Sequence, residues 1–265
     1  MLLVVLIAGL FAGLVSGVAG MGVAIAALPV LLYGPELFGI EPLSVKEVTG
    51  LTVVQSFASG AVNIVRHRSA GYVHRPLVLW VGLPAGALAL GGALASTFLP
   101  DAAILATMVG MALAAAAVML SPSILRGRVS GPGDDGWSEE SEPPDVDRVR
   151  ALTVGAVVGG VGGISGLPGA FLMVPLLIFG LGIPTRLAIG SNLGIMLFAS
   201  GAAFIGKLGG TLVPAVPALV IVGSTMAATL LGFEINRRLS ARHLRWLLGA
   251  LVAATAVRVL VDLLG

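Results

Sequence analysis

The feature that most constrains the fold is an internal duplication. Gly9, Gly13, Gly17, Gly20, Ala24, Pro29, Leu31 and Gly34 recur 146 positions later as Gly155, Gly159, Gly163, Gly166, Ala170, Pro175, Leu177 and Gly180. The register then shortens by five residues, and Phe57-Ala58-Ser59-Gly60-Ala61 returns as Phe198-Ala199-Ser200-Gly201-Ala202, with Gly82 and Gly91 matched by Gly223 and Gly232. A duplication in a nearly continuous apolar chain marks a transporter built from two repeats, with its site where the halves meet.

The composition places those repeats in a bilayer. With 57% hydrophobic and 11% charged residues, a chain of 265 residues cannot enclose its apolar surface in one soluble core. A crossing helix needs about 20 apolar residues, which predicts spans near 48–65, 77–98, 102–121, 187–206, 214–235 and 244–264. The regions 2–33 and 151–180 are too long for one crossing and too glycine-rich for an ordinary pair. The absence of cysteine removes disulfides and thiol chemistry. Met1-Leu2-Leu3 lacks the basic start of a signal peptide, so Met1 to Tyr33 is expected in the mature protein.

The predicted organisation is a first membrane repeat over 1–121, an acidic cytoplasmic linker over 122–149 and a second repeat over 150–265. The linker carries Asp134, Asp135, Glu139, Glu140, Glu142, Asp145 and Asp147 among prolines and glycines, a composition that cannot bury enough to order itself. Basic residues then test topology. If each half crossed four times, eight Lys and Arg side chains would lie on one side and six on the other. If 2–33 and 151–180 are re-entrant hairpins that leave on the side they entered, each half crosses three times and the second is inverted. Arg66, Arg68, Arg75, Arg126, Arg128, Arg148, Arg150, Arg186, Arg237, Arg238, Arg242 and Arg245 then share one face, with Lys46 and Lys207 on the other. Twelve against two is a positive-inside partition. The fold class read from the sequence is therefore an all-α polytopic membrane protein of two inverted repeats, each a broken helical hairpin plus three transmembrane helices, with both termini outside the cytoplasm.

The hairpins suggest the site. Gly20, Met21 and Gly22, and Ser165, Gly166, Leu167, Pro168 and Gly169, interrupt apolar helix where turns form. The earlier glycines, spaced by four, suit close helix packing. Half-helices starting near Met21 or Pro168 would aim free N–H groups and a positive dipole end inward, an anion site held by helix ends and not by side-chain cations.

The paired glycine-rich segments ending in Pro29-Val30-Leu31 and Pro175-Leu176-Leu177, the polar segment after each and the long linker resemble the TauE/SafE sulfite exporter family, or TSUP anion transporters. The resemblance covers both halves without the linker. It implies movement of sulfite, sulfoacetate, related organosulfonates or similar small anions across the cytoplasmic membrane.

A second polar layer supports that chemistry. Thr52, Gln55 and Ser56, beside Thr49 and Ser59, answer to Ser191 and Asn192, beside Ser200, in the other half. Their amides and hydroxyls can donate to sulfonate or sulfite oxygens. Arg66 and Lys207 are repeat-equivalent pathway cations at helix ends, where snorkelling also explains them. Arg258 pairs more naturally with Asp262 four residues on. Two motifs are set aside. Gly201 to Lys207 has phosphate-loop spacing without the following Ser or Thr, and Gly163-Ile164-Ser165-Gly166 has a protease-like serine without a histidine base in any span.

The function read from the sequence is secondary export of a small sulfur-containing anion, with no enzyme activity, metal, cofactor or nucleic-acid partner. The lipid bilayer is its surround, and a homodimer is compatible with the sequence. The competing readings are proton-coupled anion uptake, a channel-like anion pore and, remotely, an intramembrane serine protease.

Overall fold

The structure, a computed structural model, describes residues 1–19, 24–68, 73–119, 146–167, 172–209 and 213–236. All regular structure among them is helical: α1 (Leu2–Ala19), α2 (Ala24–Leu37), α3 (Val45–Arg68), α4 (Arg75–Ala95), α5 (Asp101–Met119), α6 (Arg148–Ser165), α7 (Met173–Pro175), α8 (Thr185–Leu208) and α9 (Ala215–Asn236). The short α7 runs straight into a π-helical turn over Leu176–Gly180. Among the described residues, four helices are long and apolar enough to cross a membrane, over Val45–Val65, Arg75–Ala95, Leu187–Leu208 and Ala215–Gly232. These correspond to the spans expected at 48–65, 77–98, 187–206 and 214–235. The fifth expected span, 102–121, falls on α5, and the sixth, 244–264, lies outside the described residues, as does all but the end of the linker.

Glycine decides which helices touch. A methyl group on Gly9 or Gly13 would run into Ser224 and the backbone at Ile221 and Thr225, so α1 and α9 meet backbone to backbone. Gly155, Gly159 and Gly163 face the carbonyls of Val81, Ala85 and Ala89 in the same way. In both seams the residue numbers rise together, so α1 runs parallel to α9 and α6 parallel to α4. Small residues permit this closeness, and in lipid, van der Waals packing supplies much of the attraction. Each half thus lends its first helix to the other half.

The direction of the remaining helices follows from their contacts. Thr49 meets Lys207, Phe57 meets Gly201, Gly60 meets Met196, and Ile64 meets Gly194. One number rises as the other falls, so α3 and α8 are antiparallel. Gly34 of α2 lies against Val4 of α1, so the first region is an antiparallel hairpin whose two ends return to one side. The C-terminal ends of α4 and α8 and the N-terminal end of α3 share one end of the bundle, here the Lys207 end; the N-terminal ends of α4, α6 and α8 share the other, the His74 end.

Asp147 caps α6, its carboxylate accepting from the backbone N–H of Val149 at 3.0 Å and Arg150 at 3.2 Å. At the other end Gly166 adopts φ +72°, left-handed geometry that glycine takes without strain, and closes the helix by donating to the carbonyl of Gly162. Among the described residues, apolar clusters fill the space between helices; one joins α4, α6, α7, the π-helical turn and α8 through Val81, Ala85, Val158, Met173, Leu177 and Ile195.

Candidate functional site

Among the described residues, the interior is polar along one line. Thr49, Thr52, Ser56, Ser59 and Asn63 follow one another at spacings of three and four on α3, and each is at most 2% exposed. That spacing places them on one helix face, over about 21 Å of rise. Gln55, also buried, lies beside the stripe. Across it stand groups from the other half: Thr52 donates to the carbonyl of Gly166 at 2.9 Å, and Gln55 Nε2 donates to Thr225 Oγ1 at 3.0 Å. Near the His74 end, Ser16 and Ser59 share a 2.7 Å hydrogen bond, and Asn63 Nδ2 donates to Ser16 at 3.1 Å. The stripe therefore runs along the contact between the repeats.

Lys207 is the charged side chain that the described residues bury completely. Its ammonium turns into the bundle and donates to Thr49 Oγ1 at 2.9 Å and Ser96 Oγ at 2.6 Å. Both hydroxyls spend their own hydrogens on carbonyls, Thr49 on Lys46 and Ser96 on Ala93, which turns their lone pairs toward the ammonium. This corrects the snorkelling explanation: a side chain near a helix end reaches water only if it points outward, and this one points inward. The side chain of its repeat mate, Arg66, lies outside the described residues.

The amide of Asn192 is fully buried, and neither its oxygen nor its nitrogen has a hydrogen-bond partner. Gln55 Oε1 and Thr229 Oγ1 are likewise buried and unpartnered. Each such group costs about 1 to 3 kcal/mol, which a polar occupant within its reach would relieve. Ser191 accepts from the backbone N–H of His74 at 2.9 Å, fixing the start of α4 against α8.

The structure brings Thr52, Gly166 and Lys207 together through Thr49, and places Gln55 midway along the stripe. Ser191 and Asn192 belong to the His74 end, and Ser56 lies on the buried face of α3. Gly20, Met21, Gly22, Pro168 and Gly169 lie outside the described residues. Leu167 is buried in an apolar cluster, and its N–H is taken by the carbonyl of Gly162. The ends of the two glycine-rich helices do not converge at one depth. The end of α6 lies beside Thr49 and Thr52, whereas α1 reaches Ser59 and Asn63 through Ser16, about 10 to 16 Å further along α3 from Thr52. Ser165 donates to the carbonyl of Gly162 and to Met111 Sδ, so no base activates it among the described residues. The Gly201 to Lys207 segment is continuous helix, not a loop. Among the described residues no group of three acidic, His or Cys side chains could hold a metal.

Sequence spacing could have revealed Asn63, which extends the stripe by one more step of four. Ser16, Ser96 and Thr225 carry no such signal, because each joins from a different helix.

These features define a multi-pass helical membrane protein with a polar seam between two repeats. The chain belongs to the TauE/SafE sulfite exporter family, whose profile matches residues 5–259. It is 24% identical over 259 residues to a probable membrane transporter protein of Methanocaldococcus jannaschii, covering 93% of this chain and 91% of that one. A probable membrane transporter protein of Xylella fastidiosa strain 9a5c is 29% identical over 193 residues, 72% of this chain and 68% of the relative. No solved structure matches.

Proposed function

We propose that this chain is a secondary transporter that exports a small sulfur-containing anion, such as sulfite, sulfoacetate or a related organosulfonate, across the cytoplasmic membrane. The observation that carries the sign of the solute is Lys207. A basic side chain buried in the seam favours anions over cations, as fixed basic groups do in anion-conducting pores. The amide of Asn192 is buried and unpartnered, and oxyanions are acceptors that suit its Nδ2 donors.

Transport across the whole membrane follows from inverted repeats. Their support is the antiparallel pairing of α3 with its repeat mate α8, and the exchange of α1 and α6 between halves. An arrangement of that kind has two equivalent ways to close, one toward each face, which is alternating access about a fixed seam. An inside-negative potential supplies about 2.3 kcal/mol per charge per 100 mV for anion efflux.

The test is flux in proteoliposomes under an imposed potential, with sulfite, sulfate, sulfoacetate and a carboxylate as competitors. Saturable flux of a sulfur oxyanion, lowered tenfold or more by Lys207→Met, is the expected result. Equal flux of every anion without saturation would identify a pore, and no flux of any would remove the reading.

A further inference from the structure

The surroundings of Lys207 are those of a cation site. Three helices end around its ammonium: α8, whose last turn carries it; α4, whose C-cap Ser96 accepts from it at 2.6 Å; and α6, whose C-cap Gly166 is packed against Thr49, the other acceptor. The C-terminal end of a helix carries about half a negative charge. In secondary transporters with broken helices such ends, with hydroxyl and carbonyl oxygens, hold sodium ions. The group here is instead part of the chain. No carboxylate pairs with it among the described residues, and the charged group facing it is another cation, Lys46 of α3. Lys46 repeats the device one residue further out, donating to the carbonyl of Thr97 at 2.9 Å. The nearby carboxylate of α3, Glu47, is taken up by Ser44, whose N–H and hydroxyl donate to it at 2.9 and 2.8 Å, and Arg75, Arg148 and Arg150 stand at the opposite ends of α4 and α6.

We propose that the Lys207 ammonium is a tethered counter-cation, standing where a free alkali cation would otherwise bind, so that the protein needs neither sodium nor potassium. For transport this rests on the reading above; for binding it does not. Removing the ammonium without filling its space should leave Thr49 Oγ1, Ser96 Oγ and three negative helix ends facing a cavity, a set of hard oxygen ligands suited to a small monovalent cation.

The experiment compares melting of the purified full chain in detergent, in choline, sodium, potassium and lithium chlorides at equal concentrations of a few hundred millimolar. Chloride is constant, so any difference belongs to the cation. The wild type should melt at one temperature in all four. Lys207→Ala should melt lowest in choline and rise by at least about 3 °C in one of the alkali salts, as expected for a ligand well above its Kd. Lys207→Met, whose side chain fills the space without charge, should show no such rise. The proposal is overturned by a wild type stabilised by an alkali cation, by a Lys207→Ala chain indifferent to all three, or by one that folds in none. Because melting needs no substrate, absent flux in proteoliposomes would count against the transport reading alone.

Discussion

Gly159→Ala tests the exchange of helices between halves. A methyl group there would lie 2.5 Å from the Cα of Ala85 and 2.7 Å from its carbonyl carbon, where about 3.5 to 4.0 Å is the comfortable separation. The obstructing atoms are backbone, so no side chain can rotate aside, and α4 and α6 must part locally by about 1 Å. Overpacking of this kind costs about 1 to 3 kcal/mol, partly offset by about 1 kcal/mol of helix propensity gained by Ala over Gly. Gly223 is the control: it is exposed on α9, and a methyl group there meets nothing within 4 Å, so Ala should be neutral or stabilising by up to about 1 kcal/mol. The two variants should differ by about 2 kcal/mol, or about 4 to 8 °C in melting temperature for a chain of this size. Gly13→Ala, in the matching seam with α9, should behave as Gly159→Ala does. A Gly159→Ala protein that melts with or above Gly223→Ala would refute the backbone contact.

Asn192→Ala is expected to weaken anion affinity by about 1 to 3 kcal/mol, the cost of leaving a charged partner without its donor; Asn192→Leu should lose binding yet melt higher, since it removes a buried unpartnered amide. Competition binding and a thermal melt check the pair, and unchanged affinity in both would take Asn192 out of the site. Burial lowers the pKa of the His74 imidazole from its ordinary 6.5, so acid protonates the unfolded chain before the folded one. Stability should therefore hold above that value and fall as pH drops through it, and His74→Gln should flatten the decline. A melting curve against pH that is identical in the two proteins would contradict this.

The repeats were legible because their glycines are irreplaceable: Gly9 with Gly13, and Gly155 with Gly159, stand where a neighbouring backbone leaves no room. The spans at α3, α4, α8 and α9 were legible from length and hydropathy, which report transfer into lipid directly. Gly166 was legible as a turn, since only its lack of a Cβ permits both its positive φ and the approach of Thr49. Lys207 was not. Hydropathy shows that a lysine ends an apolar helix but not which way it points, and its acceptors come from positions 111 and 158 residues away. The π-helical turn after Pro175 was hidden for a similar reason, because local propensity does not choose between α and π hydrogen bonding once packing of Met173 and Leu177 sets the path. Depth along the bundle was also hidden: glycine patterns identify the ends of α1 and α6 without showing that they reach different levels of α3.

The central claim is that repeat-equivalent helices run in opposite directions through the membrane, so that the seam between them joins the two faces. Val73 precedes α4 at the His74 end, and Leu208, 61% exposed, closes α8 at the Lys207 end. Single cysteines at these positions can be read in intact cells with an impermeant thiol reagent, because the chain has no cysteine of its own. With the arginine-rich face cytoplasmic, Leu208→Cys should label and Val73→Cys should be protected until the membrane is opened. Labelling of both, or protection of both, would put the two ends on one face and contradict the inverted arrangement.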